Sequence, residues 1–127
     1  MTDQRAAGGM PLVVALPAEI DVANAGRLYE RLDAALRSGV ALVVADLTVT
    51  EFCDAAAVGR LLMIRARAAA RGIKFRLVIP PGALPRRVLV LLGADRDLPV
   101  YASVAEACAP LPPPLQGLLP RPRPEQP

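Results

Sequence analysis

The run Ala41-Leu42-Val43-Val44-Ala45, closing in Asp46-Leu47, is the feature that most restricts this chain. Its apolar residues do not alternate with polar ones, so neither face of a strand here is meant for water. Such a strand belongs in the middle of a sheet covered by helices, the arrangement of α/β proteins. A polar connection, Thr48 to Cys53, follows it, and Asp54 then opens a long Ala- and Leu-rich helix. The Asp54 carboxylate suits the N-cap, where it accepts from free first-turn amides and opposes the positive end of the helix dipole. A helix start beside a strand's carboxyl end is a common place for a site. This helix, however, begins Ala55-Ala56-Ala57, which carries no reactive group.

The flanking segments build the same architecture. Leu12 to Leu16 is a short strand between Pro11 and Pro17, prolines that fit a sheet edge or strand ends. After Glu19-Ile20-Asp21, Asn24 is positioned to cap a helix with Leu28, Leu32, Ala35 and Leu36 on one face and Gly39 at its C′ position. In the helix after Asp54, Ala57, Val58, Leu61, Ile64 and Ala68 form the stripe that should face the sheet. Ala56, Arg60, Met63, Arg67 and Arg71 lie opposite, and Gly72 ends the helix. Ile73 to Ile79 alternates like a strand, Pro80-Pro81-Gly82 breaks it, and Leu84 to Leu92 is a third helix closed by Gly93. Leu98 to Tyr101 is a last strand, and Ser103 with Glu106 makes a capping box for a terminal helix. Strands alternating with helices imply right-handed crossovers and a mixed, mostly parallel sheet with about four helices. The periodicity leaves open whether the helices cover one face or both.

Three segments follow: a flexible N-terminus at 1–9, a folded domain at 10–109, and a Pro-rich disordered tail at 110–127. The tail alternates Pro with Leu and Arg and can form neither helix nor ladder. No stretch approaches the roughly 20 apolar residues of a membrane span, and no secretory h-region opens the chain. A cytoplasmic protein without membrane insertion is the expectation.

Composition narrows the chemistry. The chain of 127 residues has no histidine, which removes the commonest general base and the commonest metal ligand. No Cys or carboxylate cluster has metal-ligand spacing, and no Gly loop is shaped to cradle phosphate. No metal, no cofactor and no catalytic residue is therefore expected. Cys53 and Cys108, the only cysteines, read as buried thiols and not as a disulfide. The cations are scattered over helices and a strand and offset by acids, which is the pattern of a solvated surface and not of a nucleic-acid partner. Asp46 and Asp54 could pair for acid-base work or Mg²⁺ binding. A strand-end Asp ordering its loop, beside a helix cap, is the preferred reading. Asp21 and Asn24 are in the first place turn and cap residues. The face Ala56, Arg60, Met63, Arg67 offers small residues for close approach, an adaptable Met and Arg for a partner's carboxylates.

In order and spacing, Glu19-Ile20-Asp21, Asp46-Leu47, Phe52-Cys53-Asp54 at a helix start, Gly72 before a strand, and Val88-Leu89 with Gly93 ahead of Leu98-Pro99-Val100-Tyr101 resemble a STAS domain. This is the fold of bacterial anti-sigma factor antagonists, and the resemblance runs from about Pro11 to Ala109. It implies a regulatory protein that binds a serine-kinase-type anti-sigma factor and so releases a sigma factor to transcription, a form of partner switching. In that family the loop reads Asp-Ser-Ser/Thr-Gly, the Ser after the Asp is phosphorylated by the partner, and phosphorylation ends binding. The resemblance extends the partner-binding loop to Asp21, Asn24, Asp46, Asp54, Ala55, Ala56, Arg60 and Met63.

At that loop the chain departs from the pattern. Asp54 is kept, but Ala55 stands at the phospho-acceptor position, Ala56 replaces the second hydroxyl and Ala57 the glycine. Ala18 replaces the usual Gly before the Glu, and residues 1–9 offer little of the family's first strand. The triple departure favours natural divergence, and implies an antagonist that phosphorylation at position 55 cannot switch. The alternative is a STAS-like accessory or scaffold subunit docking on a transporter ATPase or a signalling assembly, which needs the docking face but no phosphorylation cycle.

Overall fold

The computed structural model describes residues 10–109; the expectations for 1–9 and 110–127 lie outside the described residues. In chain order the elements are β1 (Leu12–Ala15), β2 (Glu19–Ile20), α1 (Ala25–Leu36), β3 (Leu42–Asp46), β4 (Phe52–Cys53), α2 (Ala55–Ala70), β5 (Lys74–Val78), α3 (Leu84–Leu91), a 3₁₀ turn (Ala94–Arg96), β6 (Val100–Tyr101) and α4 (Val104–Cys108). The main sheet has the order β1-β3-β5-β6, and every pairing within it is parallel.

The unalternating run is the reason β3 lies inside this sheet. Val43 and Ala45 enter the larger core with Phe75, Leu77 and Ile79, under α1, α2 and α3. Leu42 and Val44 point the other way, into a smaller cluster with Val78 and Ala107 under α4. Helices therefore cover both faces, unequally. The one-turn α4 suffices because it screens only the middle of the sheet, with Tyr101, Val104 and Cys108 at its margin. β1 forms one edge of the sheet, one of the two placements that its bracketing prolines fit.

The helical stripes are where the spacing put them. Leu28, Leu32, Ala35 and Leu36 of α1 are buried, as are Ala57, Val58, Leu61, Ile64 and Ala68 of α2. Gly72 takes a φ of 73° just past α2, a left-handed conformation that glycine adopts without strain. Gly39 is not at C′. α1 stops at Leu36, and its end is closed by Arg37 and Ser38 amides turning back to Asp33, Ala34 and Ala35 carbonyls. Gly39, at φ 92°, reverses the chain two residues later.

Two further strands are present that periodicity did not indicate. Glu19 pairs with Phe52 and Ile20 with Cys53 in a separate two-stranded parallel ladder. Two residues are too few to show a period, and the ladder exists only because two distant loops meet. It is this ladder that carries the candidate site.

Candidate functional site

The site is built where the β2–α1 loop and the β4–α2 junction come side by side. The ladder is prolonged by backbone bonds from the Glu51 and Phe52 amides to the Ala18 carbonyl, at 2.7 and 3.2 Å, and from the Asp54 amide to Ile20 at 3.2 Å. Thr50, the one buried polar residue among the described residues, anchors the start of β4 by donating its hydroxyl to the Pro17 carbonyl at 2.8 Å. Without that bond a buried hydroxyl would be left unsatisfied, at a cost of about 1–3 kcal/mol.

Asp54 joins the two halves. Its backbone is extended, at φ −109° and ψ −174°, as an N-cap requires, and its Oδ1 accepts from the Ala57 amide at 3.0 Å. Its Oδ2 reaches the opposite loop and accepts from the Val22 amide at 3.2 Å. One carboxylate thus caps α2 and pins the loop that leads into α1.

That loop is self-supporting. Asp21 Oδ1 accepts from the Ala23 amide at 2.9 Å, and the Asp21 carbonyl accepts from the Asn24 and Ala25 amides at 3.1 and 2.8 Å. Asn24 occupies the N-cap position of α1, but its side chain does not cap the helix. It points backwards instead, with Oδ1 accepting from the Asp21 amide and Nδ2 donating to the Glu19 carbonyl, both at 2.9 Å. The Asp21 carbonyl takes the helix's first amide, so the Asn24 side chain is free to brace the turn.

Ala55, the first residue of α2, is exposed, whereas Ala56 is half-buried and Ala57 wholly buried. On the two segments that Asp54 joins, Val22 of the β2–α1 loop is 78 % exposed and Phe52 of β4 is 43 % exposed. Of these two large apolar residues on a surface held by a hydrogen-bonded frame, Val22 was not singled out in the sequence, and Phe52 only as part of the Phe52-Cys53-Asp54 run, with no docking role.

The remaining residues fall elsewhere. Asp46, at the end of β3, turns its Oδ1 to its own loop, accepting from the Thr48 amide at 2.9 Å and from the Thr48 hydroxyl. It orders a turn and makes no bond to the Asp54 frame, as the plainer reading held. On the outer side of α2, Met63 is 48 % exposed. Arg60 lies over the Tyr29 ring at 5.6 Å, and Arg67 Nε donates to Asp33 Oδ1 at 2.9 Å. Both arginines are thus fastened to α1, which the sequence could not reveal because α1 and α2 are neighbours only in the fold. For Asp33, desolvation pushes the pKa up, but the hydrogen bond and charge of Arg67, with Arg37 and Arg71 beyond, hold it below the ordinary range.

Cys53 and Cys108 are free thiols, but only Cys53 is buried; Cys108 is half-buried at the end of α4. Burial, with the Asp54 carboxylate adding to it, pushes the Cys53 thiol from 9.0 up to about 11. With the folded value above the unfolded one, the protonated thiol contributes stability below pH 9 that is lost as pH rises through about 11. At pH 8 an alkylating reagent is expected to modify Cys108 in the native protein and Cys53 only after unfolding. Equal native rates, read by mass spectrometry, would contradict this burial.

Among the described residues, no three of His, Cys, Asp and Glu gather closely enough to hold a metal ion, and no helix is long and apolar enough to cross a membrane. Both oxygens of Asp54 accept hydrogen bonds from backbone amides. The arrangement is a rigid platform with an apolar rim, suited to docking.

No curated protein matches the sequence. Among solved structures, an anti-sigma factor antagonist from Mycobacterium paratuberculosis is 26 % identical, with a TM-score of 0.66 over 75 % of this chain and 80 % of that one. The anti-sigma factor antagonist SpoIIAA in its unphosphorylated form, 18 % identical, superposes with a TM-score of 0.63 over 86 % and 90 %. A sulfate transporter family protein from Wolinella succinogenes, 17 % identical, gives 0.66 over 77 % and 81 %; these last two likenesses concern the fold alone. The STAS domain family model matches residues 3–107. The chain belongs to the STAS domain family.

Proposed function

We propose that this protein is an anti-sigma factor antagonist that works in the bacterial cytoplasm by binding and not by catalysis. Its partner is a serine-kinase-type anti-sigma factor, and docking on the Asp54 platform frees the sigma factor that the kinase holds. Likeness to the Mycobacterium paratuberculosis antagonist supports the class. The observation that carries the reading is Ala55, exposed at the head of α2, between two loops that Asp54 holds together. A serine there would offer its hydroxyl to a kinase, and a phosphate would set nearly two negative charges beside the Asp54 carboxylate on a docking surface. Alanine has no hydroxyl, so the protein stays in its binding form. Asp21 and Asn24 act by bracing the loop, Ala56 and Met63 by offering low and adaptable surface, and Arg60 by holding α1 against α2. Asp46 shapes the neighbouring turn.

The test is affinity capture from the native cell, with this chain and an Ala55→Ser variant as parallel baits and ATP present. Both are expected to retain a serine-kinase anti-sigma factor, with only the variant becoming phosphorylated and releasing it. Stoichiometric phosphorylation of the unmodified chain would overturn the non-switching reading. Capture of a transporter ATPase in place of a kinase would replace the antagonist with an accessory subunit.

A further inference from the structure

The second place in the fold with unspent binding capacity lies at the other end of α2. β6 has only two residues, and its pairing with β5 begins at Leu77 opposite Val100. Pro99 is the reason. Leu77 donates to the Pro99 carbonyl at 2.9 Å, and Ile79 to Tyr101 at 3.0 Å, so alternate residues of β5 turn their backbone groups to this side. The same alternation turns the Phe75 amide and carbonyl there too. Proline has no N–H to offer that carbonyl, and the chain before it diverges into the 3₁₀ turn. The first half of β5 thus ends in an open edge.

A cleft of about 310 Å³ occupies this gap, at the lower end of the range of roughly 300–1,000 Å³ usual for small-molecule sites. Ile73, Pro99 and Tyr101 give it apolar and aromatic walls, and Arg65, Lys74 and Arg76 bring three cations to it with no acidic residue in the lining. None of the three meets a carboxylate among the described residues. Arg76 is held in place: Nη1 donates to the Ala107 and Ala109 carbonyls at 2.8 and 3.3 Å, and its guanidinium lies over Tyr101 at 5.3 Å. Its Nε and Nη2 make no hydrogen bond among the described residues. The C-terminal carbonyls of α2 would repel an anion, but Ala68 and Ala69 already accept from the Arg71, Gly72 and Ile73 amides.

We infer that this cleft binds a small molecule bearing one carboxylate or phosphate on an aromatic or apolar body. The head meets Arg65, Lys74 and Arg76, and the body lies against Ile73, Pro99 and Tyr101. Arg is the side chain best matched to such heads. The site is separate from the Ala55 platform: Arg65 lies eleven residues along α2 from Asp54, about 16 Å at the rise of a helix.

The probes are phenyl phosphate, benzoate and neutral benzyl alcohol, titrated at millimolar concentration into the isotope-labelled full chain and followed by amide chemical shifts. Saturable shifts are expected at Lys74, Phe75, Arg76 and Tyr101 with at least one of the anions, and whichever binds more tightly identifies the head group. Benzyl alcohol is expected to bind about tenfold or more weakly, the loss of one charge-assisted contact. Arg65→Gln and Lys74→Gln, both at solvent-facing positions that keep the fold, should each weaken the anion by about the same factor. The inference is overturned if neither anion shifts these amides, if benzyl alcohol binds as well, or if both variants bind undiminished. Shifts centred on Ala55 in their place would also overturn it. Failure here would leave the docking reading at Ala55 untouched.

Discussion

Truncation of Leu61 to Ala is expected to lower the unfolding free energy by about 2–5 kcal/mol, the range for deleting a fully buried Leu side chain. Leu61 is 1 % exposed, in the middle of the α2 stripe between Val58 and Ile64, and packs into the core formed with β3 and β5. Its truncation removes three heavy atoms from water-free surroundings and leaves a void that a parallel sheet, hydrogen-bonded on both sides, can close only in part. Against a total stability of about 5–15 kcal/mol for a domain of this size, that is a large fraction. Met63→Ala, on the outer face of the same helix, should change stability by less than about 0.5 kcal/mol. Urea unfolding of the two variants compares them directly, with midpoints that differ and slopes that agree. A Leu61→Ala variant within about 0.5 kcal/mol of Met63→Ala would mean that α2 does not lie on the sheet in this orientation.

The contrast between those two residues was already visible in the spacing of α2, and the reason is general. Burial of a helix face or of a central strand is a periodic property, repeated often enough along Val58, Leu61, Ile64 and Ala68, or along Leu42 to Ala45, to be read locally. The site is not periodic. Ile20 and Cys53 meet as neighbouring strands across a gap of more than thirty residues, and nothing in either tetrad of sequence names the other. The Asp54 cap was legible because a cap is a local bond to the third residue on; its second bond, to Val22, was not, since Val22 is 32 residues away. Asn24 shows the limit within a local motif. The residue type suited a cap, but the Asp21 carbonyl filled that role and the amide side chain turned to the loop behind it. In the same way Arg67 was legible as a cation on an outer face, while Asp33, which it pairs with, belonged to a helix whose position only the fold defines. Family resemblance is what pointed to Ala55, because a motif compresses a three-dimensional arrangement into one stretch of chain.

Substitution of Asp54 separates its two bonds, and the outcomes differ by variant. Asp54→Ala removes both. Loss of the cap to the Ala57 amide is expected to cost about 1–2 kcal/mol, which for a domain of about 100 residues lowers Tm by roughly 4–8 °C per kcal/mol. The Val22 amide, exposed on its loop, would turn to water, so the loop should loosen without unfolding the domain. Asp54→Asn keeps an oxygen for Ala57 and places an NH₂ group against the Val22 N–H, two donors face to face. It should therefore retain most of the helix cap while releasing the loop. Hydrogen exchange reads the difference: faster at Val22 and Ala23 in both variants, and faster at Ala57 in Asp54→Ala alone. If the platform is what the partner recognises, binding to the anti-sigma factor falls in both variants, although only one is markedly destabilised. Should Asp54→Asn bind as the unmodified chain does while its Val22 amide exchanges freely, the pinned loop would have no part in docking. The recognition surface would then reduce to Ala55, Ala56 and the outer face of α2.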